Sequence, residues 1–453
     1  MSRTSMWPIV DQAPASTWQE RFFHDTANGK SNFHLPVALR LHGRLDRGAL
    51  HDALTELVHR HESLRTTFQR SWRGLKQVVR APHPCEFQEL DRPPGQYASR
   101  CSVNALVLEL ADQEVPVERS NLFTASLIKL GSREHVVVLT MHHLIADGWS
   151  CHVLTNELRT LYAAQTAARP PSLPELRATF RGHVRSERVA AKPASRAYWD
   201  GHLSPVEYRI DLPVRPPTWT PRIWIAGVAP RLGTDVTRKL SHIASDERAS
   251  LGLTAVAAVA GSLESYSTDS VTIGVVHANR YDPELAHVIG FFADIMPIRI
   301  ALGGGPSFRE LLRRVRRAWV GALAHRLPLA QIVNATQRPN EECDLPCDLV
   351  VNYLPRASPL RTTSVAEKRS VSCDRGLDVS AIEVPLGQRR IRVGRRTLVS
   401  SVEYWLHEEP EGGLRVYVWA QEGTASRAVL AELSTRCSDT ISRAVAQPDR
   451  PVR

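Results

Sequence analysis

His142-His143-Leu144-Ile145-Ala146-Asp147-Gly148-Trp149-Ser150 is the stretch on which the reading of this chain turns. Upstream, residues 135–141 form an apolar, β-branched run that reads as a buried strand. Downstream, Val153, Leu154, Leu158, Leu161 and Tyr162 recur at helical spacing. The residues between them form a short loop joining the strand to an amphipathic helix. Rigid elements on both sides can hold reactive side chains in fixed positions. His143, Asp147 and Gly148 offer a base, a carboxylate and a permissive backbone in one place. Histidine is the natural proton acceptor near neutral pH. Gly148 lets the backbone approach a substrate closely, and its N–H is suited to stabilising an oxyanion.

Read from these residues alone, the loop admits three roles. The first is proton transfer by His143. The second is metal ligation, although adjacent histidines in a loop point apart, unlike an i, i+4 helical pair, and no third ligand stands out. The third is a structural role for core imidazoles. The chain has no Gly-x-Ser-x-Gly elbow, which argues against a hydrolase with a serine nucleophile. The arrangement suits direct attack by an activated external nucleophile.

Outward from the loop, the pattern is mixed. Val37, Leu39 and Leu41 alternate, which predicts a half-buried strand. Leu50, Leu54, Leu57 and Val58 give one apolar stripe on a helix opening near Asp46. Segments 122–130 and 135–141 read as a strand pair turning at Gly131-Ser132-Arg133-Glu134. The Pro-rich stretches Arg169-Pro-Pro-Ser-Leu-Pro174 and Leu212-Pro-Val-Arg-Pro-Pro217 interrupt this grammar. Beyond them helices are predicted at about 234–247, 252–267, 307–325 and 425–445. Strands are predicted at about 271–277, 293–300, 347–354 and 413–420. The expected fold is mixed α/β (α+β), with an N-terminal lobe over 1–175, a linker or crossover over 176–222 and a C-terminal lobe over 223–453.

A chain of 453 residues can bury a sizeable core without disulfide or metal staples. Hydrophobic residues are 43% and charged residues 23%, which excludes wholesale disorder, collagen and coiled coil. The net charge of +10 is carried mostly by arginine, since only six of the 57 basic residues are lysine. That skew fits a coding bias, an acidic partner or a phosphate-bearing ligand, and does not require nucleic acid. No apolar segment is long enough to span a bilayer, and residues 1–9 lack the apolar core of a signal peptide. Seven scattered cysteines fit reduced thiols and a cytoplasmic location. Cys343 and Cys347 lack companion ligands at zinc spacing, so no metal site is expected.

The segment His142-His143-x-x-x-Asp147-Gly148 resembles the HHxxxDG signature of the condensation domains of nonribosomal peptide synthetases. Their superfamily shares the chloramphenicol acetyltransferase-like fold. Other segments match in family order. Ala15-Ser-Thr-Trp-Gln-Glu-Arg21 resembles a degraded first motif. Arg60-His-Glu-Ser-Leu-Arg-Thr-Thr-Phe68 resembles RHxxLRTxF. Asn279-Arg280-x-x-x-Glu284 resembles the Arg-containing fourth motif, and Ile289-Gly-Phe-Phe-Ala-Asp-Ile-Met-Pro-Ile-Arg299 the GxFVNTLPLR segment. His325-Arg-Leu-Pro328 and Val351-Asn-Tyr353 follow. Two departures stand out: Asp294 replaces the usual asparagine, and the last region, Leu414 to Glu422, matches only loosely.

The resemblance implies two lobes in a V-shaped pseudodimer with a tunnel between them. It implies that His143 is catalytic, as a base or as a hydrogen bonder that positions the nucleophile. Gly148 is assigned to the catalytic loop with it. Asp147 is implied to be structural, paired with Arg280. Asn352 matches a family asparagine near the active site. His142 is expected to be packed, and Ser150 to bond locally or near substrate.

The expected reaction transfers an acyl or peptidyl group from the phosphopantetheine thioester of a carrier protein to an amine or alcohol, forming an amide or ester. No permanently bound cofactor is expected. The length matches one condensation unit, so the sequence is read as freestanding, with the carrier protein supplied in trans. No membrane or nucleic-acid partner is expected. Cyclisation domains carry a two-aspartate motif that is absent here. Epimerisation domains carry a glutamate where Val276 and His277 stand. The alternatives are an acyl-CoA-dependent acyltransferase and a catalytically silent recruitment module. Arg313-Arg-Val-Arg-Arg317 and Arg389-Arg-Ile-Arg-Val-Gly-Arg-Arg396 read either as solvated faces or as docking sites for an acidic carrier or pantetheine phosphate.

Overall fold

Two compact units emerge from the contacts of the chain in a computed structural model. The residues described are 7–27, 33–72, 74–91, 100–111, 113, 115–118, 120–188, 192–203, 210, 212–214, 222–266, 269–335, 346–347, 349–355, 377–382, 392–393, 402–409 and 412–452. The first unit comprises 1–188, 279–292 and 357–396, and the second 189–278, 293–356 and 397–453. The boundary at 188 falls within the 176–222 stretch. Segments 279–292 and 357–396 nevertheless return to the first unit, so neither unit is one continuous run of chain. Arg280 and the strand Asp378–Ala381 hold those returning segments in place.

In the first unit, a five-stranded sheet runs in the order Asp378–Ala381, His34–His42, Glu134–His142, Phe123–Lys129, Phe87–Asp91. Its last pair is parallel and the others antiparallel. Val136 and Val138 meet Val103, Leu106 and Val107 of the helix Arg100–Ala111 on one face. Val137, Leu139 and Leu39 are buried on the opposite face. There the helices Arg47–Arg60 and Gly148–Thr166 pack against each other. With both faces covered, Val37, Ala38, Leu39 and Leu41 are all buried, which corrects the half-buried expectation for this strand. Only Arg40 remains half-buried in the middle of that run, paired with Glu134. A smaller sheet joins Ile9–Pro14, Gly74–Arg80 and Thr66–Ser71 in that order.

The second unit carries six strands in the order Asp294–Ala301, Ser270–His277, Leu349–Leu354, Val402–Glu408, Leu414–Gln421, Arg222–Val228. Strand Leu349–Leu354 is parallel to both neighbours, and the remaining pairs are antiparallel. Val402, Tyr404, Leu406, Val416 and Val418 bury one face with the helices Leu251–Ser262 and Arg427–Ala446. Helix Leu251–Ser262 is buried from Leu253 onward, which is why its sequence is apolar all round. It stops short of the predicted residue 267: Leu263 caps it, and Glu264–Tyr266 continue as a 3₁₀ turn.

The strands predicted at 271–277, 293–300, 347–354 and 413–420 form with ends shifted by no more than two residues. Strand Val402–Glu408 and the helices Phe180–Glu187 and Pro193–His202 were not anticipated. Among the described residues, no helix is long and apolar enough to cross a membrane.

Candidate active site

Strand Glu134–His142 ends where the loop begins, and helix Gly148–Thr166 begins where it ends. Asp147 is the N-cap: its Oδ1 accepts the Ser150 N–H at 2.8 Å, satisfying a first-turn donor. The helix therefore opens at Gly148, one turn before the apolar stripe. The Gly148 N–H has no partner within the helix, because the first N–H groups of any helix lack one. It sits beside the positive end of the helix dipole.

The Asp147 carboxylate is saturated. Besides Ser150 it accepts from Arg280 Nη2 at 3.0 Å and from the Phe292 N–H at 3.0 Å. Arg280 spends its other amino group on the carbonyls of Leu285 and Val288, at 2.9 and 2.7 Å. Its guanidinium carbon lies 4.0 Å from the centre of the Phe292 ring. Burial lowers the Arg280 pKa, and the Asp147 charge opposes that effect. Asn279, at φ +52°, takes the left-handed conformation immediately before this arginine, and its side chain donates to Glu187 at 3.1 Å.

Ser150 completes the clamp. Its hydroxyl lies 2.8 Å from Asp147 Oδ1 and 2.9 Å from the Gly290 carbonyl, either of which can take its single proton. It accepts from Arg280 and from the Gly290 N–H, each at 3.1 Å. Gly290 is a close-approach position: a Cβ built there would lie 2.6 Å from the Phe180 ring. Ser63, in the RHxxLRTxF-like segment, ties the same stretch by donating to the Ile289 carbonyl at 2.6 Å. In that segment Arg60 and His61 both bind Glu157 on the helix following the loop, at 3.0 and 2.7 Å. Burial raises the Glu157 pKa, but His61 and Arg60 outweigh it and hold the carboxyl low.

The two histidines separate cleanly. His142 is fully buried, with its Nδ1 accepting the Leu144 N–H at 3.1 Å. That bond places its ring proton on Nε2. Burial, with His34 and His143 nearby, holds its pKa well below the usual histidine value. His143 is half-buried, and its own N–H is held by the Phe33 carbonyl at 2.8 Å. Its imidazole is walled by Phe291 at 4.4 Å, Phe22 at 5.3 Å and Phe33 at 6.2 Å between ring centres.

Sequence reasoning missed this wall, and it also missed the part played by Gln19. Ser16 and Gln19 form a reciprocal capping box at the start of helix Thr17–Ala27, with bonds of 3.1 and 2.9 Å. The Gln19 amide then donates to the Leu144 carbonyl inside the loop at 2.8 Å. The Ser-x-x-Gln spacing was the available signal.

His143, Gly148, Asp147, Arg280, Ser150 and His142 thus come together within the first unit. Asn352 belongs to the second, half-buried on strand Leu349–Leu354 opposite Trp405. Asp294 also lies in the second unit, where its carboxylate accepts the N–H groups of Ile295 and Leu329 at 2.8 and 3.2 Å. It is opposite His277 in the strand pair, and burial lowers the His277 pKa to about 4.

Arg313, Arg314 and Arg317 of the first arginine cluster all reach Glu310, and Arg313 also pairs with Glu247. That favours a charge-compensated face over a free docking surface. Most of the second cluster, and Cys343, lie outside the described residues. Among the described residues, no group of three or more His, Cys, Asp or Glu side chains could hold a metal ion.

A family model for the condensation domain matches residues 9–372. The chain belongs to the condensation-domain family. Chondramide synthase cmdD of Chondromyces crocatus is 31% identical over 464 residues, covering 97% of this chain and 11% of that protein. Enniatin synthetase of Fusarium oxysporum is 31% identical over 347 residues, covering 74% and 11%. The chain spans only about a tenth of the length of these two curated relatives.

Among solved structures, the X-domain from teicoplanin biosynthesis superposes with a TM-score of 0.79 at 22% identity, covering 98% of this chain and 97% of that one. The first condensation domain of the calcium-dependent antibiotic synthetase, in complex with a substrate analogue, gives 0.74 at 20%, covering 98% of each chain. The mixed α/β fold is therefore that of condensation domains, with their chloramphenicol acetyltransferase-like halves.

Proposed function

We propose that this chain transfers an acyl or peptidyl group from a carrier-bound phosphopantetheine thioester to an amine or hydroxyl, forming an amide or ester. The observation that carries this reading is the setting of His143. Its backbone is pinned by Phe33, its loop is anchored by Gln19 and by the Asp147–Arg280 clamp, and three aromatic rings wall its imidazole.

The nucleophile attacks the thioester carbonyl carbon. His143 holds or accepts the proton lost from nitrogen or oxygen, the carbon–sulfur bond breaks, and the thiolate leaves to be protonated. The Gly148 N–H, at the helix start, is the donor for the developing oxyanion. Most of the rate enhancement in such a reaction comes from alignment of the two reactants. Asp147, Arg280 and Ser150 act as positioning residues for the loop.

Two further readings have specific support. The starter condensation domain of rhizomide synthetase has been solved with C8-CoA and matches this fold with a TM-score of 0.75, which keeps CoA as a candidate donor. The teicoplanin X-domain has been solved in complex with OxyB, which keeps a recruitment role. Mass spectrometry of products made from an acyl-carrier thioester and from the matching acyl-CoA, each with an amine and an alcohol, tests all three. Product from the carrier thioester is expected. Turnover with CoA alone overturns the carrier donor, and no product from either favours recruitment.

A further inference from the structure

The strands of the second unit bury Val402, Tyr404 and Leu406 in the core, so alternation turns Glu403, Trp405 and His407 to the opposite face. Strand register sets Trp419 opposite Glu403, Tyr417 opposite Trp405, and Asn352 beside Trp405 on the other side.

Glu403 is unusual among the carboxylates. It accepts one hydrogen bond, from the Trp405 indole at 2.9 Å, and no cation pairs with it among the described residues. Arg415, which shares this face, is held by Glu409 at 3.2 Å. Burial pushes the Glu403 carboxyl up to about 7, against the pull of the Trp405 N–H. The indole N–H of Trp419 is a second unused group: the residue is 6% exposed and its Nε1 has no hydrogen-bond partner among the described residues. The Trp405 and Trp419 ring centres lie 6.4 Å apart, and the His407 ring lies tilted against Tyr417 at 4.8 Å between centres.

One carboxyl with no ion-pair partner among the described residues, set among electron-rich rings, offers too few oxygens for a divalent cation, and its charge repels anions. A carboxylate with indole faces suits an ammonium group, which ion pairing and ring quadrupoles both attract. We infer that this face of the second unit binds an organic amine as its ammonium ion, with Glu403 as its counter-ion and the Trp405 and Trp419 rings around its apolar part. This binding goes beyond the acyl-transfer reading, does not depend on it and involves no covalent step.

The test is a calorimetric titration of the full chain at pH 8 with phenethylamine and, separately, phenethyl alcohol, with no acyl donor present. Indole N–H resonances are followed by NMR to locate the ligand. The amine is expected to bind at least about tenfold more tightly than the alcohol, about 1.4 kcal/mol, and to shift the Trp405 and Trp419 signals. Glu403→Gln, which keeps the Trp405 bond, is expected to abolish the preference.

Equal binding of the two probes, saturable binding of neither, or a preference retained in Glu403→Gln overturns the inference. The wild-type comparison decides it even where the variant does not fold. Amine binding without acyl transfer would remove the acyl-transfer reading and leave the site standing. Transfer to amines without this binding would do the reverse.

Discussion

Arg280 Nη2 lies 3.0 Å from Asp147 Oδ1, and the side chains are 3% and 2% exposed. The pair joins residues 133 positions apart in sequence and is one of the bonds that tie segment 279–292 to the first unit, with those from Ser63, Ser150 and Glu187. Each partner has further bonds: the carboxylate to Ser150 and the Phe292 N–H, the guanidinium to two carbonyls.

Removing one side of such a pair strands a buried charge and is expected to cost roughly 3–5 kcal/mol. Asp147→Ala and Arg280→Ala should each lower stability by about that amount in urea unfolding. The double variant should lose less than the sum, because neither charge is then left alone. Fully additive losses would mean that the two side chains do not interact.

Gly290 offers a steric test of the same clamp. A methyl group there would press on the Phe180 ring while both Gly290 backbone groups stay bonded to Ser150. Gly290→Ala is expected to cost about 1–3 kcal/mol by overpacking. Phe180→Leu in the same chain should recover part of that loss, as read by thermal melting. A neutral Gly290→Ala would show that the loop yields freely.

Glu403 sets a pH dependence of known sign. Its folded value of about 7 stands above the ordinary 4.5, so between those pH values the folded chain holds a proton that the unfolded chain has released. Its contribution to stability is therefore complete below about pH 4.5 and is lost as pH rises through 7. A raise of this size corresponds to a loss of roughly 3 kcal/mol across that range. Glu403→Gln should gain stability relative to the wild type on going from pH 4.5 to pH 8. The buried histidines titrate identically in both proteins and cancel in the difference. A pH-independent difference would contradict the raised carboxyl.

Much of this was legible in the sequence because the signals were local. The run Val136-Val-Val-Leu-Thr-Met141 and the stripe from Val153 to Tyr162 define their elements by period alone, and the HHxxxDG spacing places the loop between them. The resemblance supplied the fold of two halves and the Asp147–Arg280 pairing, which no local pattern encodes.

Other features were illegible because they depend on contacts distant in sequence. Phe22, Phe33 and Phe291 converge on His143 from three separate segments. Helix Phe180–Glu187 is short, and its neighbour Pro193–His202 begins at a proline within a stretch read as linker. Strand Val402–Glu408 alternates charged and aromatic residues on one face with apolar residues on the other, and its partners lie in two different segments. The return of 279–292 and 357–396 to the first unit follows from tertiary pairing and leaves no mark in composition.

The most direct measurement is the rate of product formation from an acyl-carrier thioester by His143→Ala, set beside its melting temperature. His143 is half-buried and its loop is held by Gln19, Asp147 and Arg280, so the variant should melt within a few degrees of the wild type. Its rate should fall by roughly 10²–10⁴-fold. An unchanged rate, or a collapse in stability equal to the loss of rate, would contradict a catalytic role for His143.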